Sequence, residues 1–346
     1  MDKKIVNTQE VRAYQPNENR LFFSAEHDEI ATGMTSDIYF VKTRDILKAS
    51  GKEDTEVTVE IFARDYGFFC GLPEVLNVVK GLDLEIWALK EGMFFQNREV
   101  VMRIKGKYSQ FGVYETAILG ILASSSGWAS AARAVKEAAG DKPVIIFGAR
   151  HVHPSVAPVM ERSAIIGGMD GSSCILGAKL AGLEPRGTVP HAVMLLVGDT
   201  LQVAETYDQI MPEEDMRLIL VDTFKDEAEE TLRVARAMRN RLEGIRLDTP
   251  SERGGVTPGL VSEIRARLDM EGFDHVQIFV SGGLTPDRIV ELKAAGADSF
   301  GVGSYVSGAQ AIDMTMDIKE IDGKAVAKRG RIPGITYTER LVKYEI

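Results

Sequence analysis

The feature that most constrains the fold is an alternation of short apolar runs and amphipathic helical patterns that begins near residue 141. The later helical patterns cover residues 227–242, 258–270 and 286–295. Alternating strand and helix units predict a parallel sheet, and this many units favour an irregular, incomplete α/β barrel. A doubly wound open sheet is the alternative, but no G-x-G-x-x-G motif opens the first unit. The β-type runs are 144–148, 187–194, 218–222, 244–248, 276–281 and 299–306.

The residues before 141 have a different pattern and predict an N-terminal α/β domain. Runs 57–64, 85–95 and 100–106 are β-type, and the Ala-rich segment 116–139 favours a long helix. These elements predict a sandwich-like arrangement of sheet and helices.

The C-terminal segment breaks the alternation. IKEIDGKAVAKRG predicts a hairpin with Asp322-Gly323 as its turn, packed on the N-terminal sheet. We therefore expect residues 1–140 and 314–346 to form one domain, and residues 141–313 to form the barrel-like domain.

The composition is that of a globular protein without a general affinity for polyanions. The 41 Lys+Arg and 51 Asp+Glu residues give a net charge of −10, which opposes binding to nucleic acid or anionic membrane. Cys70 and Cys174 predict free thiols in a reducing compartment. The N-terminus has no apolar signal core, and the longest mostly apolar run, 116–123, is too short to span a bilayer. We expect a cytoplasmic protein.

Chemistry-bearing residues concentrate at the ends of the predicted strands, where parallel α/β folds place their active sites. FGARHVHP ends one run, and GTVPH follows within another. Six strand ends carry charged, hydroxyl or glycine residues, which is more than a purely structural barrel needs. The residues are Phe147, Gly148, Arg150, His151, His153, Gly187, Thr188, His191, Asp222, Thr223, Arg246, Asp248, Thr249, Ser281, Gly282, Gly283, Gly301, Gly303 and Ser304.

Two glycine-containing loops predict a phosphate site. Ser281-Gly282-Gly283 precedes a helix that starts at Pro286, and a second loop runs from Gly301 to Ser304. Glycine lets backbone N–H groups approach an anion, and a helix N-terminus favours negative charge. Tight turns with a helix cap are the alternative for each loop alone.

The charged residues allow more than one interpretation. Asp222 and Asp248 are either helix caps or ligands for ribose hydroxyls or diphosphate-bound Mg²⁺. Arg150 and Arg246 either pair with these carboxylates or bind an anionic substrate. His191 alone is more often a structural histidine.

A zinc site is a further alternative for the histidines. It would use His151, His153 and His191, and it is weakly supported because a His-x-His spacing needs a third ligand that the sequence does not fix.

The motifs in order resemble those of the nicotinate phosphoribosyltransferase family. They are TSDIYF, ALKEGMFF, VMRIKG, YETAILGILASSSGWASAAR, FGARHVHP, IGGMDGSSCILGAKLAG, RGTVPHA, LVDT, IRLDT, VSGGL and VGS. The resemblance covers most of the chain and is similar to the short archaeal and bacterial branch. It implies a type II phosphoribosyltransferase that joins nicotinate to 5-phosphoribosyl-1-diphosphate, with Mg²⁺ bound to diphosphate and ATP as an optional co-substrate.

The resemblance also implies roles for residues around the base. Tyr39 matches a ring-stacking tyrosine supplied across a dimer interface, so a homodimer or higher homo-oligomer with shared active sites is expected. Phe147 matches the residue on the other face of the ring, and Thr188 of the RGTVPHA motif is a further expected nicotinate-binding residue. Arg150 and Arg246 match residues near the nicotinate carboxylate and the diphosphate.

Further roles concern phosphoribosyl diphosphate. Asp248 matches the residue that grips the ribose, and Asp222 is the candidate metal residue. His191 matches a histidine that many relatives phosphorylate from ATP. The 5′-phosphate cradle comprises Ser281, Gly282, Gly283, Gly301, Gly303 and Ser304.

The chemistry agrees with this implied activity. A pyridine nitrogen is a nucleophile at neutral pH without a general base, so the barrier lies in ionisation at ribose C1. Positioning, cationic clamps and Mg²⁺ are the required parts.

The sequence departs from the family at several positions. Pro190 and Ala192 flank His191 where many relatives have Ala and Ser, which leaves ATP coupling open. His151 replaces a second arginine, and two cysteines cannot form the zinc knuckle of some short relatives.

Two alternative functions remain. A decarboxylating quinolinate phosphoribosyltransferase would need a denser cationic pocket, and a non-catalytic phosphate-binding barrel would need fewer polar strand ends.

Overall fold

The computed structural model describes residues 7–346 of the chain. Its strands, numbered along the chain, are β1 (Glu56–Ala63), β2 (Gly67–Phe68), β3 (Leu84–Ala88), β4 (Phe94–Phe95), β5 (Val100–Lys107), β6 (Val144–Ile146), β7 (Gly171–Ser172), β8 (Leu218–Leu220), β9 (Gly244–Leu247), β10 (Gln277–Ser281), β11 (Ser299–Val302), β12 (Met314–Ile321), β13 (Lys324–Ala325) and β14 (Val342–Tyr344).

The helices vary from single turns to one long helix. They are α1 (Thr8–Ala13), α2 (His27–Ala31), α3 (Ile38–Ala49), α4 (Leu72–Val78), α5 (Tyr108–Phe111), α6 (Glu115–Ala139), α7 (Ala157–Ile166), α8 (Ile175–Leu180), α9 (His191–Val197), α10 (Thr200–Ile210), α11 (Glu227–Met238), α12 (Pro258–Met270), α13 (Pro286–Ala294) and α14 (Ser304–Ser307). No helix among residues 7–346 is long and apolar enough to cross a membrane.

The chain divides into two compact units. Unit 1 contains the residues up to Ser130 together with Gln310–Ile346, and unit 2 contains Ala131–Ala309. The first border falls within α6, and the predicted borders at 140/141 and 313/314 lie ten and four residues further along the chain.

Unit 1 is built on an antiparallel sheet with the strand order β13-β12-β1-β5-β3-β14. β1 lies between two long partners, and its valines and Ile61 are 0–3% exposed. They pack with residues of β3, β5, α4 and α6 in one hydrophobic core. The predicted strand 85–95 ends earlier, at Ala88, because the chain turns at Gly92 with a φ of 80°.

The predicted C-terminal hairpin is confirmed. β12 and β13 pair in antiparallel register around Asp322 and Gly323, which have φ angles of 46° and 73°. Positive φ at both central residues is the requirement of the tight turn that matches strand twist. β12 also pairs with β1, so the hairpin extends the unit 1 sheet as predicted.

Unit 2 contains a six-stranded sheet with the order β7-β6-β11-β10-β9-β8, and all of its pairings are parallel. β7 and β8 are its edges, and no pairing closes them into a barrel within residues 7–346. The predicted α/β class with an incomplete barrel is therefore confirmed. Neither Cys70 nor Cys174 forms a disulfide with a described residue, and Cys70 is buried while Cys174 is half-buried.

The predicted strand at residues 187–194 is wrong. Residues 187–190 are irregular, and α9 begins at His191 with Pro190 as its N-cap residue. Proline has no backbone N–H for a strand ladder, and it is tolerated where a helix begins. The sixth strand of the unit 2 sheet is instead β7, which pairs with β6 at the edge and has only two residues. Such a short strand leaves no periodic signal in the sequence.

Candidate active site

A cavity of about 400 Å³ lies at the carboxyl ends of the strands of unit 2. We call it the strand-end cavity. Thirteen of the nineteen strand-end residues singled out from the sequence line it: Phe147, Arg150, His151, Gly187, Thr188, Arg246, Asp248, Ser281, Gly282, Gly283, Gly301, Gly303 and Ser304. Loops after β6, β9, β10 and β11 supply most of them, because parallel strands end at the same edge of a sheet.

Arg246 occupies the centre of the polar wall. Its Nη1 donates to Thr188 Oγ1 at 2.7 Å, its Nε donates to Ser281 Oγ at 2.9 Å, and its Nη2 donates to Asp248 Oδ2 at 3.2 Å. The guanidinium carbon also lies 5.3 Å from the centre of the Phe147 ring. Burial lowers the pKa of Arg246, so the cation is held in a poorly solvated place where its field is weakly screened.

Two aspartates lie one behind the other at the cavity wall, with Asp248 in front and Asp222 buried behind it. Asp248 lines the cavity, and its Oδ1 accepts a hydrogen bond from Ser281 Oγ at 2.8 Å. Asp222 Oδ2 accepts from the backbone N–H of Asp248 at 2.7 Å, and the Asp222 side chain is 0% exposed. Burial raises the pKa of Asp222, and its Oδ1 has no hydrogen-bond partner. Asp222 therefore fixes Asp248 from behind and does not itself line the cavity.

His191 lies beside this pair at the start of α9. Its Nε2 is 3.8 Å from Asp222 Oδ1 and 3.7 Å from Asp248 Oδ2. Its Nδ1 shares a hydrogen bond of 3.0 Å with Thr223 Oγ1, and the ring is 37% exposed. The hydrogen bond at Nδ1 orients the imidazole, and its Nε2 faces the two carboxylates.

The histidines do not converge on a metal. His153 Nδ1 hydrogen-bonds Ser155 Oγ at 2.7 Å, and His151 Nδ1 lies 3.2 Å from Ser307 Oγ. Over residues 7–346 no group of three or more His, Cys, Asp or Glu side chains could hold a metal ion. The zinc alternative is therefore not supported by the described residues.

The glycine loops meet steric requirements that other residues would not. Gly282 and Gly283 have φ angles of 96° and 59°, in the left-handed region that favours glycine. A Cβ on Gly303 would lie 2.8 Å from His151 Cε1 and 2.9 Å from the Phe147 carbonyl oxygen. Both loops therefore bring bare backbone to the cavity wall, as an anion cradle requires.

Arg150 contributes charge from the turn after β6. It is exposed, and its positive charge helps to lower the pKa of Arg246. With Asp248 as the carboxylate among the lining residues, the two arginines leave a positive excess in a chain of net charge −10. The arrangement is suited to an anionic ligand that also carries a flat ring or a sugar.

Tyr39 lies in unit 1 and is not among the residues that line the strand-end cavity. It lines a unit 1 cavity of about 500 Å³ that also contains Tyr108 and Glu115. Its side chain is 56% exposed, and its hydroxyl donates to Asp37 Oδ2 at 3.1 Å. Burial raises the pKa of Glu115 to about 7.

One residue near the strand-end cavity was missed by the sequence interpretation. Glu161 is a 0% exposed carboxylate that accepts hydrogen bonds from the loops around it, including one from Ser173, which lines the cavity. A signal for Glu161 exists, since it falls on the apolar stripe of α7 with Ala157, Met160 and Ala164. A charged residue on a buried stripe marks a polar role in the interior.

Both units match family models. The model of the quinolinate phosphoribosyl transferase N-terminal domain matches residues 37–126, and that of the C-terminal domain matches residues 128–317.

Similar proteins carry related names. A nicotinate phosphoribosyltransferase of Mycobacterium tuberculosis is 29% identical over 314 residues, which cover 84% of this chain and 66% of the relative. A nicotinate phosphoribosyltransferase of Bacillus subtilis is 29% identical over 223 residues, which cover 63% of this chain and 44% of the relative. The chain thus spans less than two thirds of the length of these relatives.

Solved structures share the fold. A nicotinate-nucleotide pyrophosphorylase from Pyrococcus furiosus superposes with a TM-score of 0.88 and 41% identity, covering 91% of this chain and 82% of that chain. Human nicotinic acid phosphoribosyltransferase has a TM-score of 0.67 at 15% identity, covering 87% and 77%, and this likeness shows the fold alone.

Proposed function

The chain belongs to the quinolinate phosphoribosyl transferase family of type II phosphoribosyltransferases, and from this premise we propose that its base is nicotinate. The reaction would join nicotinate to 5-phosphoribosyl-1-diphosphate, giving nicotinate mononucleotide and diphosphate for NAD synthesis. The observation that carries the proposal is the strand-end cavity, in which two guanidinium groups face two glycine loops.

The number of cationic groups supports a base with one carboxylate. Arg150 and Arg246 line the cavity, and Arg246 is already engaged by Asp248. Quinolinate carries two carboxylates, and the diphosphate adds further negative charge, so that base requires more cations. Ser173 offers a neutral hydroxyl, which does not repel the carboxylate of nicotinate as an aspartate would.

The ring of the base would lie against Phe147. This ring already contacts Phe279 at 5.8 Å between centroids, so its orientation is fixed by packing. Tyr39, exposed in unit 1, is proposed to cover the other face of the ring in a neighbouring subunit of a homo-oligomer.

The 5′-phosphate would bind the backbone amides of the two glycine loops. Gly282 and Gly283 form one side, and Gly301 to Ser304 form the other. Backbone donors that are held by the fold need no reorganisation when the anion binds.

The ribose and the leaving diphosphate would lie between Asp248 and the arginines. Asp248 is rigid because Ser281, Arg246 and Asp222 all contact it. Its carboxylate can orient ribose hydroxyls, while the guanidinium groups stabilise the charge that develops on diphosphate.

Mg²⁺ fits this site through one protein residue. Asp248 faces the cavity, and a carboxylate has lone pairs beyond the two hydrogen bonds that it accepts here. Asp222, the residue predicted from the sequence, is fully buried behind it and fits a supporting role. When bound with diphosphate, Mg²⁺ would neutralise charge on the leaving group.

The test is turnover of the purified protein with nicotinate, phosphoribosyl diphosphate and Mg²⁺. We expect stoichiometric release of diphosphate and formation of nicotinate mononucleotide. Parallel reactions with and without ATP show whether ATP stimulates turnover. If ATP stimulates the wild type and not His191→Ala, the ATP-dependent step uses His191. Absence of product under both conditions would reject nicotinate as the base.

Quinolinate is the second candidate because the family models carry its name. A quinolinate enzyme releases carbon dioxide together with the mononucleotide. Carbon dioxide release from quinolinate at a kcat/KM above that for nicotinate would therefore replace the proposed base.

A further inference from the structure

Glu161 is a buried carboxylate at the back of the strand-end cavity. It lies on α7, where its neighbours on the same stripe, Ala157, Met160 and Ala164, are all buried. Its exposure is 0%, and it is not among the residues that line the cavity. Burying a carboxylate is costly unless its oxygens accept hydrogen bonds.

The Glu161 oxygens divide their hydrogen bonds between two segments. Oε1 accepts from the backbone N–H of Gly148 at 3.1 Å and of Ala149 at 3.0 Å. Oε2 accepts from the backbone N–H of Cys174 at 2.7 Å and from Ser172 Oγ at 2.6 Å. A single side chain therefore fastens the turn after β6 to the segment after β7.

Each fastened segment presents residues to the cavity. Phe147 and Arg150 flank Gly148 and Ala149 in the first segment, and both line the cavity. Ser173 lines it from the second segment, and its hydroxyl also donates to Glu161 Oε1 at 3.2 Å.

We propose that Glu161 is a positioning residue that holds Phe147, Arg150 and Ser173 at the separation that fits the pyridine base. It acts through its hydrogen bonds to the two segments and touches no substrate. The assignment of the base rests on the proposed function. The hydrogen bonds of Glu161 go to these two segments and not to the glycine loops after β10 and β11.

Only a carboxylate satisfies both segments at once. Every one of its partners donates, and a carboxylate has acceptor sites on both oxygens. A glutamine amide has an acceptor oxygen and a donor NH₂ group. In Glu161→Gln the NH₂ group would face either the N–H groups of Gly148 and Ala149 or the N–H group of Cys174, so one segment loses its backbone hydrogen bonds to residue 161, although a serine hydroxyl can still accept from the NH₂ group.

Glu230 provides a matched control for burial alone. It is also a 0% exposed glutamate of unit 2, and it accepts from Arg233 Nε at 2.9 Å and Nη2 at 2.8 Å. Its ion-pair partners Arg233 and Lys225 do not line the strand-end cavity. Glu230→Gln therefore reports the cost of altering a buried carboxylate elsewhere in the same unit.

The first measurement is amide hydrogen exchange of the ligand-free protein. In Glu161→Gln we expect the amides of Gly148 and Ala149, or that of Cys174, to exchange at least about tenfold faster than in the wild type. Glu230→Gln should leave these amides at wild-type rates. Unchanged exchange in Glu161→Gln would overturn the proposal, and this result does not depend on which base the enzyme uses.

The second measurement is steady-state kinetics. For Glu161→Gln we expect the KM for nicotinate to rise at least about tenfold, and by more than the KM for phosphoribosyl diphosphate, to which the held segments contribute only Arg150. A parallel rise of both KM values, as general destabilisation would give, would overturn the positioning role. If the wild-type protein does not turn over nicotinate, the proposed function is rejected. The exchange measurement would still decide whether Glu161 holds the two segments.

Ser172→Ala is a milder variant for the case in which Glu161→Gln does not fold. It removes one donor to Glu161 Oε2 and leaves the cavity-lining hydroxyl of Ser173 in place. We expect a rise of about two- to fivefold in the KM for nicotinate, with the KM for phosphoribosyl diphosphate unchanged. Equal changes in both constants would again contradict the proposal.

Discussion

The two units each contain a cavity of comparable size, about 500 Å³ in unit 1 and about 400 Å³ in unit 2, with different chemistry. The unit 1 cavity lies against the face of an antiparallel sheet, and its charged groups are Glu115, Asp317 and Lys328. The strand-end cavity is lined by arginines, hydroxyls and glycine loops.

This difference follows from strand direction, which decides where polar and charged residues can converge. An antiparallel sheet presents alternate side chains of whole strands, such as Val59 of β1 and Met316 and Ile318 of β12, so its cavity wall is mainly apolar. A parallel sheet brings several loops to one edge, and loops carry the residues that a packed strand cannot. Volume alone would not have distinguished the two.

Of the substitutions that test this contrast, Arg246→Ala is expected to lower kcat/KM the most. The substitution removes a poorly solvated cation from the strand-end cavity, and we expect kcat/KM to fall by about 10²–10³-fold, as for the loss of a charge-stabilising donor. Diphosphate release measures it. Arg253→Ala, which removes an exposed arginine paired with Glu227, is the control and should retain wild-type turnover.

Arg246→Lys separates charge from geometry. Lysine keeps the charge but cannot donate to Thr188, Ser281 and Asp248 together. Wild-type kcat/KM in Arg246→Ala would refute the role of the strand-end cavity.

Gly303→Ala is expected to have the next largest effect. The added Cβ would lie 2.9 Å from the carbonyl oxygen of Phe147, so the backbone must shift. We expect the KM for phosphoribosyl diphosphate to rise about tenfold or more.

Gly259→Ala is the matched control for this substitution. Its nearest contact would be Thr257 Oγ1 at 3.8 Å, an ordinary distance, and alanine is the better helix former in α12. An unchanged KM in Gly303→Ala would show that the second glycine loop does not hold the phosphate.

Tyr39→Ala tests whether unit 1 contributes to the base site. Loss of one stacking face should raise the KM for nicotinate by about three- to tenfold. Tyr66→Ala, which removes another exposed tyrosine of unit 1, should not change it.

Mixing subunits extends the Tyr39 test. If Tyr39 serves the site of a neighbouring subunit, a mixture of Tyr39→Ala and Arg246→Ala proteins forms some sites with both wild-type residues. These sites would show the wild-type KM for nicotinate. Failure to recover it after exchange of subunits would contradict the sharing of sites.

Glu115→Gln should give the smallest functional effect and a distinct pH signature. Burial raises the pKa of Glu115 from 4.5 to about 7, so the folded state resists ionisation. The free energy of unfolding therefore falls as the pH rises from the unfolded pKa to the folded pKa, and the penalty is complete above it.

The neutral glutamine removes this penalty. At pH 8 we expect the free energy of unfolding of Glu115→Gln to exceed that of the wild type by about 1–2 kcal/mol, after allowance for the partial exposure of the side chain. Turnover should be unchanged. The gain should shrink towards zero near pH 4.5. Urea denaturation at both pH values measures it, and an equal gain at both would exclude ionisation of Glu115 as the cause.

Glu85→Gln is the control of opposite sign. The hydrogen bond from Lys343 lowers the pKa of Glu85, so its neutralisation should not stabilise the protein at pH 8.

The strand ends of unit 2 were predictable because their signals are local. Asp248, Gly282 and Gly303 each follow an apolar run directly, and parallel pairing then brings them together. The hairpin at Asp322-Gly323 was predictable for the same reason, since two adjacent residues specify the turn.

The parts that were not predicted depend on contacts distant in sequence. The role of Glu161 comes from donors 11–13 residues away on two segments, and only the fold brings them to one carboxylate. β7 has two residues and no periodicity, while the apolar residues after Pro190 were equally compatible with a strand and with α9. Burial of Asp222 behind Asp248 likewise follows from the register of β8 and β9, not from composition.

The most direct test of the central claim is a crystal structure of the protein with nicotinate mononucleotide and diphosphate. We expect the nucleotide in the strand-end cavity, with its phosphate at the amides of Gly282, Gly283 and Gly303 and its pyridine ring beside Phe147. Density for the nucleotide in the unit 1 cavity at Tyr108 and Glu115, or phosphate bound away from both glycine loops, would contradict it.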